Sequence, residues 1–430
     1  MKKYFPRIAD QLLKEELTSV GAVLLEGPKW CGKTSTSEQI ANSVIYMNNP
    51  KTRDTNKIIA QSDPISLLKG NTPRLIDEWQ IAADKIWDTV RFEVDQRQSF
   101  GQFILTGSST PPKMSKDSHS GTGRIKHLKM RTMSLFESND STGDVSLSSL
   151  FDNNDKIEVS ESDVSLETIA YLVCRGGWPM SLLTDSRNVA LKQADNYLDA
   201  LIYQEIDEDS DDVSRRNPEW TRAILRSYAR LVGSSASSSV LYEDSISHGK
   251  VSFSIGTLEN YIKDLSRLFV FEDLDSWNPN LRSRTAIRTS PTRYYTDPSI
   301  AAAVLGIGPG ALMKDIRTFG FLFENMAIRD LRTYAQVIGG RLYHYRDHNN
   351  LECDSVIVLP DGRYALIEIK LGGLALIGEG IKSLNKLEKN LDIESMGRPA
   401  FKMVLCAVAP YVHVDPESGV VICPITSLRN

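Results

Sequence analysis

The chain is poor in the features that make several function classes easy to assign. Its 430 residues hold only five cysteines: Cys31, Cys174, Cys353, Cys406 and Cys423. They are scattered with no C-x-x-C pair, which argues against a spacing-coded zinc site and against a disulfide framework. The six histidines show no metal-ligand spacing. No apolar run approaches the roughly 20 residues that span a bilayer. The opening stretch, MKKYFPRIADQLLKEEL, lacks a signal-peptide core, so a cytoplasmic protein with no membrane partner is expected. Basic excess is also missing. The formal net charge is −5, so any contact with nucleic acid must rest on a local patch. There is no internal repeat. What is present is ordinary globular composition, 41% hydrophobic and 24% charged, in a chain long enough for two or three domains.

Residues 3–17 place Phe5, Ile8, Leu12 and Leu13 at helical spacing. VGAVLLEG then reads as a buried strand entering a glycine turn. Strand and helix signals alternate to about residue 136, with GQFILTGSS as a second apolar strand, which predicts a parallel α/β sheet. From 137 to about 165 the chain turns polar and acidic, and a solvated insertion is expected. A helical stretch follows to about 232. In SIGTLENYIKDLSRLFVFEDL (254–274), Leu258, Tyr261, Ile262 and Leu265 form a helix stripe before an apolar run. That order, helix then hairpin, is the tail of a winged helix-turn-helix. From about 315 the pattern is α/β again. The expected domains are 1–185, 186–315 and 316–430.

The segment Gly27-Pro28-Lys29-Trp30-Cys31-Gly32-Lys33-Thr34, with Ser35 next, fits GxxxxGK[ST] in full. It lies between an apolar strand and a helix. Glycine permits a backbone path in which successive N–H groups converge on phosphate oxygens. Lys33 neutralises the β and γ phosphates of ATP, and the Thr34 hydroxyl can ligate Mg²⁺. Leu75-Ile76-Asp77-Glu78 supplies the acids for a neighbouring strand end. Asp77 is expected in the Mg²⁺ shell, and Glu78 is expected to activate water. In Phe103-Ile104-Leu105-Thr106-Gly107-Ser108-Ser109, Ser108 is the chosen γ-phosphate sensor, set between the two motifs, with Thr106 and Ser109 as rivals. Arg124 is a candidate arginine finger reaching a neighbouring subunit, against a plain surface ion pair.

Near the end, Asp354 opens the strand SVIVL, Pro360-Asp361-Gly362-Arg363 makes a turn, and Tyr364–Lys370 returns as a hairpin. Alternation puts Glu368 and Lys370 on one face. Pairing brings Asp354 beside them, so Asp354 and Glu368 could share a Mg²⁺ with Lys370 adjacent. Glu324, in the helical segment GFLFENMAIRDLRTY, is a carboxylate among apolar neighbours and could complete the cluster. Arg282, Arg284, Arg288 and Arg293 are the best local candidates for phosphate-backbone contact. Trp178 and Pro179 are expected to pack a lid, from which Arg175 could reach phosphate.

Taken together, GPKWCGKTS, RLIDEWQ, ILTGSS, Gly123-Arg124, GGWP (176–179), TLENYIKDL, YYTDPSIAAAVLG, GFLFEN and the final hairpin resemble the AAA-like P-loop ATPases of bacteria and archaea that carry a C-terminal domain of uncharacterised function. The last part is similar to the PD-(D/E)XK nuclease-like fold, with Cys353 where a proline often precedes the first acid. The resemblance implies a P-loop sheet domain with a helical lid, a winged-helix middle domain and a nuclease-like α/β domain. It implies ATP binding and hydrolysis, with DNA or another nucleic acid held by the later domains. An ATP-gated, Mg²⁺-dependent DNA nuclease and a nucleotide-stabilised interaction protein are the alternatives. A homo-oligomer is expected if Arg124 acts across an interface.

Overall fold

The structure, a computed structural model, describes residues 4–108, 122–152, 161–203, 217–249, 251–279, 290–347 and 351–430. Two compact units emerge: Met1–Thr132 with Asp264–Val270, and Met133–Lys263 with Phe271–Asn430.

The first unit runs α1 (Ile8–Leu17), β1 (Ala22–Glu26), α2 (Lys33–Glu38), β2 (Ser43–Tyr46), α3 (Arg53–Ser62), α4 (Pro64–Leu67), β3 (Arg74–Asp77), α5 (Ala83–Arg97), β4 (Phe103–Gly107) and β5 (Ile125–Lys129). Its five strands lie in the order β2-β3-β4-β1-β5, and every pairing is parallel. Strand β1 shows why the sequence lacks alternation here. Ala22 and Leu24 pack with Ile76, Phe103 and Leu105 on one face. Val23 and Leu25 pack with Leu75 and Ile104 on the other. A strand covered on both faces needs apolar residues at every position. Helix α1 closes the second face through Leu12, Leu13 and Leu17. Helix α5 closes the first through Ile86, Trp87 and Val90. Parallel strands point one way, so the loops after β1, β3 and β4 gather at one edge of the sheet, with β4 between the other two.

The second unit begins with β6 (Val145–Ser146) and α6 (Leu147–Phe151). It continues through α7 (Leu166–Arg175), α8 (Arg187–Tyr203), α9 (Pro218–Arg230), α10 (Ser238–Gly249), α11 (Ile255–Arg267), whose last residues fall in the first unit, α12 (Pro298–Leu305) and α13 (Pro309–Leu312). Then come α14 (Ile316–Val337), β7 (Arg341–Arg346), β8 (Glu352–Val358), β9 (Tyr364–Gly372), α15 (Leu374–Asn390), α16 (Ile393–Met396), β10 (Phe401–Val408), β11 (His413–Val414), β12 (Val421–Pro424) and β13 (Leu428–Arg429). Six of these strands form a mixed sheet ordered β11-β12-β10-β9-β8-β7. Leu384 and Leu387 of α15 pack on Val356, Leu366 and Val404.

The expected solvated insertion needs correction. Residues 137–152 are built into the second unit; 153–160 lie outside the described residues. Val145, Leu147, Leu150 and Phe151 are buried. Phe151 meets Phe401 edge-on at 5.1 Å, and β6 pairs in parallel with β13. The serines that made this stretch look like a loop act locally: Ser146 caps α6 by accepting from the Ser149 N–H. The expected lid contacts are also corrected. Arg175 is buried and ion-paired to Asp140 at 2.6 Å. Trp178 lies on Tyr197 at 4.4 Å and donates to Ser299. The Gly177 N–H donates to Asp297, which is salt-bridged to Arg329, itself bonded to Asp330. Asp330 accepts from the Leu135 N–H. Thus GGWP belongs to a buried ionic knot of the second unit, and losing one member of such a network typically costs about 3–5 kcal/mol.

Candidate functional site

Two clusters of charged side chains stand out, one in each unit. The first is built by the loops after β1, β3 and β4. Residues 27–32 turn tightly: Trp30 has φ 66° and Gly32 has φ 105°, left-handed values that glycine tolerates best. A Cβ on Gly27 would sit 2.0 Å from the Met130 carbonyl oxygen, so only glycine allows this close backbone approach. Pro28 and Cys31 are buried, whereas Lys29, Trp30 and Ser35 are exposed. Lys33 is 7% exposed, and its ammonium donates to the carbonyl oxygens of Gly27 and Pro28 at 2.8 Å each.

Asp77, at the end of β3, is buried. Its Oδ1 accepts from Thr34 Oγ1 at 2.7 Å and from Thr106 Oγ1 at 2.6 Å. The ends of β3 and β4 and the start of α2 thus meet at one carboxylate. Glu78 follows with a left-handed φ of 55°. Its Oε2 accepts from Gln80 Nε2 and, at 3.4 Å, from Ser108 Oγ. Burial, with Asp77 alongside, holds the Glu78 carboxyl above its usual range, and the Gln80 bond opposes that rise. Here Ser108 stands beside Glu78 as read from the sequence, while the rival Thr106 takes a different task, anchoring Asp77. Ser109 lies outside the described residues.

Do these residues fit a magnesium nucleotide? A buried ammonium bonded only to neutral carbonyls has no carboxylate in direct contact and favours an arriving anion. Gly27 lets the loop backbone lie against the Met130 carbonyl, which a Cβ would prevent. Thr34 and Asp77 present the hard oxygens that Mg²⁺ prefers. The residues fit.

Sequence reasoning missed one element of this cluster. Arg7, buried just before α1, donates through Nη1 to the Cys31 carbonyl at 2.6 Å and through Nη2 to the Arg131 carbonyl at 2.9 Å. It braces the phosphate loop from outside the motif, and no local spacing announces it. Arg124, by contrast, is not brought to the cluster. It precedes β5, level with the start of β1, at the edge opposite the loop, about 16 Å away along a five-residue strand. There it pairs with Asp95 at 2.9 Å, both side chains well exposed.

The second cluster sits on β8 and β9. These strands are antiparallel with Ser355 opposite Ile367, so the next step sets Asp354 opposite Glu368. Lys370 Nζ lies between them, 3.2 Å from Asp354 Oδ2 and 2.6 Å from Glu368 Oε2. Asp354 also accepts from the Ile369 N–H at 2.7 Å, and Glu368 accepts from Ser383 of α15 at 2.9 Å. Glu324, on α14, lines a small cleft of about 40 Å³ with Asp354, Tyr294 and His344, and the Tyr294 hydroxyl donates to it. Burial, reinforced by Asp354, raises both Glu324 and Glu368 well above the ordinary carboxylate range. Burial works against the Lys370 charge, yet Asp354 and Glu368 keep its affinity for protons above that of an ordinary lysine.

The four expected residues are therefore together, but the expected cation between Asp354 and Glu368 is displaced by the lysine. An ammonium already bridges the two carboxylates. Among the described residues no group of three or more Asp, Glu, His or Cys side chains is arranged to hold a metal ion. As arranged, the cluster does not fit Mg²⁺. Of the four arginines expected on phosphate, Arg282, Arg284 and Arg288 lie outside the described residues. Arg293 is committed to Asp273 at 2.6 Å.

No curated protein matches the chain. Solved structures similar to it include a Walker-type ATPase of Pyrococcus abyssi, 14% identical with a TM-score of 0.42, over 70% of this chain and 96% of that one. Another is the Aeropyrum pernix ORC1 protein in complex with DNA, 15% identical with a TM-score of 0.23, over 74% and 94%. A third is Drosophila ORC bound to DNA, 12% identical with a TM-score of 0.18, over 70% and 85%. Among the described residues no helix is long and apolar enough to cross a membrane. Residues 166–311 and 319–428 match two domains of unknown function, DUF8612 and DUF4143, and residues 19–139, which carry the whole first cluster except Arg7, match the AAA domain.

Proposed function

We propose that the first unit binds and hydrolyses ATP and that the second holds nucleic acid. One observation carries the first half: a buried Lys33 ammonium on neutral carbonyls, next in sequence to a threonine hydroxyl already aligned on Asp77. In this reading the loop N–H groups and Lys33 receive the phosphates. Thr34 and Asp77 hold Mg²⁺, which when bound draws charge from the phosphate oxygens. Glu78 accepts a proton from water as the water oxygen bonds to the γ-phosphorus and the bond to ADP breaks. Ser108 lies beside Glu78, where the γ-phosphate would arrive. Loss of that phosphate would release the loops, as in a nucleotide switch. A Lys33→Ala protein is expected to lose ATP binding by calorimetry and at least about 100-fold in turnover. Hydrolysis at the parental rate would remove the assignment.

The nucleic-acid half is supported by two features. Helices α9, α10 and α11 are followed by antiparallel bridges, Phe271 with Tyr295 and Leu274 with Thr292, the helix-then-ribbon order of a winged helix. The β8–β9 hairpin carries the acid and lysine pattern of a nuclease-like domain. Because Lys370 bridges the acids, holding is favoured over Mg²⁺-dependent cleavage. Linear, circular and single-stranded DNA incubated with the parent and with Glu368→Ala distinguishes them: cleavage that needs Glu368 would establish the nuclease reading. The third reading is an interaction protein that nucleotide merely stabilises, recognised by ATP raising the melting temperature without turnover. A homo-oligomer that uses Arg124 across an interface would appear as ATP-dependent growth in light scattering.

A further inference from the structure

We propose that Gln80 is a positioning residue for hydrolysis: it clamps one oxygen of the Glu78 carboxylate and leaves the other to face the attacking water. This deepens the ATPase reading above and rests on it. The geometry has three parts. Glu78 occupies a left-handed backbone conformation, sparsely populated for a non-glycine residue and kept where the surroundings over-determine it. A 3₁₀ turn, Trp79–Ala82, starts at the next residue and carries Gln80 back alongside the carboxylate.

Both bonds to Glu78 fall on a single oxygen. Gln80 Nε2 and Ser108 Oγ each donate to Oε2, and among the described residues Oε1 accepts no hydrogen bond. A carboxylate gripped this way cannot rotate freely, and its open oxygen has a fixed direction.

Gln80 is itself pinned. Its Oε1 is buried with no hydrogen-bond partner, as is the neighbouring Trp79 Nε1. Both atoms flank the space beside Gly107, where a Cβ would stand 3.0 Å from each. A buried amide oxygen left unpaired is a cost that a residue retained only for packing would not carry, since an apolar side chain of the same length would avoid it. The bond that the amide does make is the one from its N–H to Glu78.

The test uses the full-length protein with ATP and Mg²⁺. Gln80→Met keeps the length and removes the donor; Gln80→Glu removes the donor and adds a repelling charge. For each, kcat is expected to fall roughly tenfold to a hundredfold, the scale of a misaimed catalytic group. KM for ATP and the affinity for ADP should stay within about twofold, which also reports an intact fold. Gln80→Met added to Glu78→Gln should cost nothing further, because Gln80 acts only through Glu78. Parental kcat in Gln80→Met, or a double variant slower than Glu78→Gln by the full Gln80→Met factor, would overturn the inference while leaving the ATPase reading in place. Parental turnover in Glu78→Gln would instead sink the ATPase reading, and the role of Gln80 with it.

Discussion

Lys33 and Lys370 are both largely buried lysines set beside an aspartate and a glutamate, yet they lie in opposite electrostatic settings. Lys33 donates to two neutral carbonyls, while its nearby acid, Asp77, is satisfied by hydroxyls. Lys370 is held by two carboxylates, with a third, Glu324, close enough to be raised by the same charges. In the first site no carboxylate bonds the ammonium directly, so it is left to meet an arriving anion. The second has negative charge to spare, and burial with Asp354 raises the affinity of Glu324 and Glu368 for protons. Residue types alone do not distinguish these sites; which partner each lysine has found does.

The sharpest way to break this comparison is to neutralise each lysine in turn. Lys370→Met leaves buried carboxylates without their cation and is expected to destabilise the protein by about 3–5 kcal/mol. Lys33→Met removes a buried charge that bonds only carbonyl oxygens and should cost far less than Lys370→Met without nucleotide. Equal losses in urea melts of the two variants would dissolve the contrast. Next in size is ligand linkage. ATP with Mg²⁺ at 100 times its dissociation constant should stabilise the parent by about 2.7 kcal/mol. Calorimetric melting should show the gain kept in Lys370→Met, over its lower baseline, and lost in Lys33→Met.

Smaller again is an effect of pH beside the second cluster. His344 is buried, and burial lowers its pKa below the ordinary histidine value. In the unfolded chain it takes up a proton near pH 6.5, whereas in the fold it resists. Stability from this group is therefore full above about pH 6.5 and declines as pH falls through the window below, by at most about 1.4 kcal/mol per pH unit. Stability profiles of the parent and His344→Gln should diverge there and nowhere higher. Least of all, Thr106→Val removes one of the two hydroxyls on Asp77 and should cost about 1 kcal/mol. Its kcat should fall more than its ATP affinity, because Asp77 keeps Thr34.

What could be read in advance was what short spacing dictates. The loop from Gly27 to Thr34 and the acids at 77–78 belong to strand ends whose burial is written in apolar runs. Asp354 could be set against Glu368 because a tight turn at 360–363 fixes the register of its own hairpin. What could not be read depended on distant partners. Arginine offers the same donors whether it faces a phosphate or an aspartate. Arg175 and Arg293, read toward phosphate, pair with Asp140 and Asp273, and Arg124 makes the surface ion pair with Asp95 that is its alternative reading. The serine-rich stretch after 137 looked solvated because its strand partner, Leu428–Arg429, lies at the far end of the sequence. Lys370 was placed beside an ion; alternation gives its face but not how far its ammonium reaches.

The brace from Arg7 carries a practical consequence. The segment that matches the AAA domain starts at residue 19, twelve residues after the guanidinium that supports the phosphate loop from below. A fragment trimmed to the recognisable domain would keep every motif residue and discard that support. Its nucleotide affinity would then understate that of the whole protein, and adding back residues 4–18 should restore it.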